Sequence, residues 1–152
     1  MGNIKLIHKN DNLAKKVRLF YAIFSILFLS IGFLIYLLFR DSKLLFFDWI
    51  NFNVSKNIVL NINNNVNNII LYNLPDGLWI LSGIMFIRII WFNKMKLCNI
   101  YIISFSFIAI ILEILQLLPY IPGTFDILDI ITMISFVLFE QLIFYFKEIL
   151  IL

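Results

Sequence analysis

The run LFYAIFSILFLSIGFLIYLLF, residues 19–39, contains no charged side chain. About 20 consecutive apolar residues, rising 1.5 Å each as a helix, cross the roughly 30 Å hydrocarbon core of a bilayer. The run therefore predicts a transmembrane helix, and it fixes the solvent in which the rest of the chain is read. A basic stretch precedes it, as in a signal peptide. It is nevertheless longer than the roughly 7–15 residues of a cleavable apolar region, and no A-x-A-like site follows, so it is read as a retained helix. Composition agrees: of 152 residues 62% are hydrophobic and 14% charged, with a mean hydropathy of +0.99. That is too apolar for an ordinary soluble domain.

Outward from this run, three further apolar segments follow at 77–93, 98–118 and 127–146. The expected fold is an all-α polytopic helical bundle of four spans forming one transmembrane domain, 1–152. Trp79 and Trp91 lie near the two ends of the second span, where interfacial aromatics are enriched. With the N-terminus inside, the inner flanks hold Lys5, Lys9, Lys15, Lys16, Arg18, Lys94, Lys96 and Lys147, against Arg40, Lys43 and Lys56 outside. The positive-inside rule then gives N-in and C-in. Residues 1–18 become a basic cytoplasmic tail. Residues 40–76 become an external segment, mixing LLFFDWINF and asparagine-rich NINNNVNN, expected to lie as amphipathic helices on the outer surface. The asparagines themselves are read as low complexity.

The same basic flanks account for the net charge of +3, so nucleic-acid binding is not implied. Cys98 is the single cysteine, which excludes an intrachain disulfide and a thiolate metal centre. There is no G-x-S-x-G, Walker A or H-E-x-x-H pattern, and the lone His8 lies in the N-terminal tail. No cofactor is implied, although carboxylates could hold a divalent cation, and any catalysis would rest on carboxylates alone.

In a bilayer the informative residues are the ionisable ones, because a charge at the core centre costs about 2.5–3.5 kcal/mol on insertion scales. Glu113 and Gln116 share a face of the third span near its outer end. Beyond them, LPYIPGTFDILDI (118–130) places Asp126 and Asp129 at the outer start of the fourth span, and Asp76 in LPDGLW opens the second span from the same side. These five can lie at one depth and form an acidic outer vestibule. Blander readings stand beside this one: Asp76 and Asp126 are natural first-turn or capping acids, and Glu113 could make an interhelical hydrogen bond while protonated. Arg88 and Glu140 match in depth near the inner ends of the second and fourth spans. They suggest a structural ion pair, with snorkelling of Arg88 as the alternative.

The order EILQ, a short outward loop, and PGTFDILD opening the last helix resembles the VanZ-like family of small bacterial membrane proteins. On that resemblance Glu113, Gln116 and Asp129 match the family's polar positions, and Thr124, Phe125 and Asp126 match a frequent form of its loop. The likeness covers about 100–140. Gly123 stands where members commonly have arginine, Met133 where they have asparagine, and Gly77 and Ile80 where they have lysine and histidine, so a divergent branch is implied. The family's founding member is associated with resistance to teicoplanin, a lipoglycopeptide. The expectation is a non-catalytic cell-envelope protein that binds an amphiphilic or cationic ligand, such as a lipid headgroup, wall precursor or glycopeptide-type antibiotic. Its ligand-binding residues would be Glu113, Gln116, Asp126, Asp129 and Asp76. Alternatives are a proton- or cation-coupled transporter working as a homo-oligomer, an intramembrane enzyme acting on lipid headgroups, and a subunit of a larger assembly.

Overall fold

The computed structural model describes residues 2–39, 65–121 and 123–151, with side chains described over 14–37, 71–121 and 123–145. The described residues form four helices: α1 (Gly2–Phe39), α2 (Asn65–Ile90), α3 (Met95–Leu115) and α4 (Ile127–Ile151). All four are long and apolar enough to cross a membrane.

Which helix takes the centre follows from polarity. The most apolar window of α2 has a mean hydropathy of only 1.3, against 2.0 to 2.3 in the other spans, yet 56% of it is buried against 17 to 22% elsewhere. In lipid there is no gain in hiding leucine from leucine, so the helix carrying the polar side chains moves to the interior. Accordingly α2 brings buried Asn73, Ser82 and Arg88, and packs against each of the other three helices. The outward faces of its neighbours carry Ile26, Ile103 and Phe107, all well exposed. Such faces suit hydrocarbon.

Small residues set the close approaches. Between α1 and α2, Ser25 Oγ donates to the Ser82 carbonyl at 3.0 Å while Ser82 Oγ donates to the Ser25 carbonyl at 2.8 Å. One turn or two further along, a Cβ on Gly32 would stand 2.6 Å from the Trp79 ring, and a Cβ on Gly77 would stand 2.5 Å from Phe136 of α4. Gly83 is overlaid by the Phe105 ring of α3 in the same way. Ile80, Ile84, Cys98, Ile102 and Met133 then form one core cluster, and Tyr21, Leu81 and Met85 another.

Three sequence expectations change. The second helix starts at Asn65 rather than at 77, so Pro75 lies inside it and is fully buried. Proline is a poor predictor of a helix start in a membrane, because neighbouring helices can support the backbone it disrupts. Residues 65–76 are accordingly part of α2 and not of a surface segment, while 40–64 lie outside the described residues. The third helix runs Met95–Leu115, about one turn earlier than expected, and residues 2–18 continue α1 as helix.

Candidate functional site

Two polar clusters occupy opposite ends of the bundle. The first lies at the end bearing the α3–α4 connection. There α3 finishes at Leu115, with Gln116 as its C-cap, and Gly123 turns the chain with φ of 134°. That backbone conformation is nearly confined to glycine. The side chain of Gln116 lies directly over the Gly123 Cα, where any larger residue would collide with it. A larger side chain at residue 123 therefore has neither the backbone nor the space here.

Asp126 is the N-cap of α4. Its Oδ1 accepts the Leu128 backbone N–H at 2.9 Å, a bond that satisfies one of the orphan donors of the first turn. Glu113 completes the cap from the preceding helix: its Oε1 accepts the Asp126 backbone N–H at 3.1 Å, and its Oε2 accepts Gln116 Nε2 at 2.7 Å. This is the role that a glutamate plays in a capping box, supplied here from a different helix. Asp129, one turn into α4 and buried, accepts Asn73 Nδ2 at 2.6 Å, and the same amide reaches Asp126 Oδ2 at 3.3 Å.

Glu113, Gln116, Asp126 and Asp129 thus form one hydrogen-bonded network, and Asn73 of α2 ties it to the centre of the bundle. The partners described for the three carboxylates are all uncharged. Asp76 does not open a helix as expected. It lies in the interior of α2, half-buried, and joins Glu113 and Gln116 in lining a cleft of about 280 Å³ between α2 and α3. The rest of that lining is Trp79, Ile80, Phe105, Ala109, Leu112 and Met133. Because the helices are antiparallel, the polar residues fall toward the α3–α4 connection and the apolar ones toward the membrane centre. From Gln116 down to Phe105 the cleft follows about 16 Å of helix, at 1.5 Å per residue. Among the described residues no group of three or more His, Cys, Asp or Glu is gathered as metal ligands.

Asn73 escaped the sequence reading. It sits three residues before Asp76, but that shared face exists only if the helix continues through Pro75. The spacing was the available signal, and the proline masked it.

The second cluster is at the other end. Arg88 Nε donates to Glu140 Oε1 at 2.6 Å and Nη2 donates to Oε2 at 3.0 Å, both residues being 1% exposed. Nη2 also reaches Gln141 Oε1 at 3.2 Å, Nη1 faces Cys98 Sγ at 3.9 Å, and the guanidinium carbon lies 3.6 Å from the Phe144 ring centroid. A planar guanidinium paired fork to fork, with further contacts to Gln141, Cys98 and Phe144, suits a buried ion pair. Arg88 therefore does not snorkel. Comparison with protein-family models, with curated proteins and with solved structures finds no match to this chain.

Proposed function

We propose that this chain is a divergent VanZ-like protein of the bacterial cell envelope, non-catalytic, that binds a cationic amphiphile from the outer leaflet. The observation that carries this reading is the α2–α3 cleft, with Asp76, Glu113 and Gln116 at its polar end and Trp79, Phe105 and Leu112 along its apolar wall. An ammonium-bearing headgroup would meet carboxylates whose described partners, for Glu113, are uncharged donors, while an alkyl chain would lie against the apolar wall. Preference for a positive group follows from Coulomb attraction in a medium less polar than water. Concave, mostly apolar sites with a few convergent polar groups are the usual form of a small-molecule site.

Trp79 provides the readout. In proteoliposomes of the full chain, a brominated long-chain alkylamine is expected to quench tryptophan emission at lower concentration than the matching alkyl sulfate. Glu113→Gln, which keeps an oxygen to accept the Asp126 N–H, should remove that preference by about tenfold, equivalent to about 1.4 kcal/mol. Equal quenching by amine and sulfate in the unaltered protein would overturn the reading.

A further inference from the structure

The charges of this protein are unevenly distributed along the bundle, with lysine and arginine in excess at one end. Asp76, Glu113, Asp126 and Asp129 lie toward the α3–α4 connection, while the acidic residues toward the other end are Asp11 of α1 and Glu140 and Glu148 of α4. At the opposite end α1 presents Lys15, Lys16 and Arg18, the α2–α3 turn presents Lys94, and the first turn of α3 presents Lys96. The four lysines are exposed. Two contacts make these one surface. The Arg18 guanidinium carbon lies 5.0 Å from the ring centroid of Phe92, which fastens the basic turn of α1 to the α2–α3 turn. Lys94 Nζ lies 5.7 Å from the ring centroid of Trp91, which is itself stacked on Tyr101 at 4.8 Å. Arg18 Nε is buried without a hydrogen-bond partner in the protein. The buried Arg88, by contrast, has Glu140, so the exposed positive charge described at this end is carried by the four lysines, with Arg18 half-buried beside them.

We propose that this surface binds the headgroups of anionic phospholipids in the adjoining leaflet. Its position at the ends of apolar helices restricts the partner to the membrane boundary, and its composition selects negative charge. Trp91 and Tyr101 are amphipathic rings suited to headgroup depth. Juxtamembrane cations gain from anionic lipid within about a Debye length of the surface, and that attraction falls as salt rises. The site is independent of the acidic cleft and does not rest on the function proposed for it.

The test places the full chain in nanodiscs of phosphatidylcholine into which brominated phosphatidylglycerol or brominated phosphatidylcholine is titrated. Tryptophan emission should be quenched by the anionic lipid at a severalfold lower mole fraction, and the preference should shrink as salt is raised from 0.1 M to 1 M, where the Debye length falls to about 3 Å. Lys15→Gln, Lys16→Gln, Lys94→Gln and Lys96→Gln together should bring the two lipids to near equality. The double variant Lys94→Gln, Lys96→Gln should give an intermediate result, and Trp91→Phe should remove the selective component of the quenching. Equal quenching by the two lipids in the unaltered protein overturns the proposal. So does a preference that is insensitive to salt, a measurement that needs no variant to fold.

Discussion

Asn73 Nδ2 stands 2.6 Å from Asp129 Oδ1, with both side chains buried, and this bond ties α2 to the first turn of α4. It accounts for a carboxylate that neither helix capping nor solvent exposure explains. Buried acids are tolerated when donors meet them, and are costly when the donor is removed.

Asn73→Ala should therefore lower stability by about 1–3 kcal/mol, the range for leaving a buried polar group unsatisfied. Asn73→Asp should cost more, because it sets a further carboxylate against Asp126 and Asp129. Adding Asp129→Asn to Asn73→Asp should restore part of the loss by re-forming an amide–carboxylate pair in reverse. Unfolding in bicelles by titration with sodium dodecyl sulfate measures all three.

For Arg88 and Glu140 the expectation is asymmetric. Removing one partner by Arg88→Met or Glu140→Leu leaves an uncompensated buried charge and should cost about 3–5 kcal/mol. The double variant should be markedly more stable than either single one, since both desolvation penalties disappear together. If the losses instead add, the pair is not coupled, and a double-mutant cycle reads this directly.

Gly77→Ala tests the contact between α2 and α4. The new methyl would meet Phe136 at 2.5 Å and the Thr132 methyl at 2.8 Å, so the helices must separate or the ring must turn. Overpacking of this kind costs about 1–3 kcal/mol. Phe136→Leu in the same chain should recover much of it.

Gly123→Ala should destabilise for two separable reasons. The backbone at φ of 134° disfavours any side chain, a strain of about 1–3 kcal/mol. The added methyl also displaces Gln116 from Glu113. Gln116→Ala in addition removes the collision but not the backbone strain, so the double variant should remain below Gln116→Ala alone in the same unfolding titration.

By contrast the serine pair should be mild. Ser25→Ala or Ser82→Ala removes one of two reciprocal bonds, and interhelical hydrogen bonds in membranes average about 0.6 kcal/mol. Ser25→Leu should be far worse, because the close approach of the helices depends on a small residue there. Melting of the purified protein in detergent separates the two cases.

The sequence by itself determined the solvent, the helical class and the four spans. Apolar runs of about 20 residues with this few charges satisfy their backbone polar groups in a bilayer as helices, each within its own segment. Pairing Arg88 with Glu140 was also legible, because each is too costly to leave alone at its depth. Only the tertiary structure decided that α2 is the central helix, that it continues through Pro75, and that Asp76 therefore lies in its interior beside a cleft. A proline has the same sequence appearance at a helix start and within a supported membrane helix; what differs is the neighbour, here Gly32 of α1, which leaves room for α1 to close on α2. Asn73 illustrates the same limit. Among many asparagines in one stretch, the one that matters is set by which side chain faces Asp129, and that facing exists only once α2 and α4 have packed.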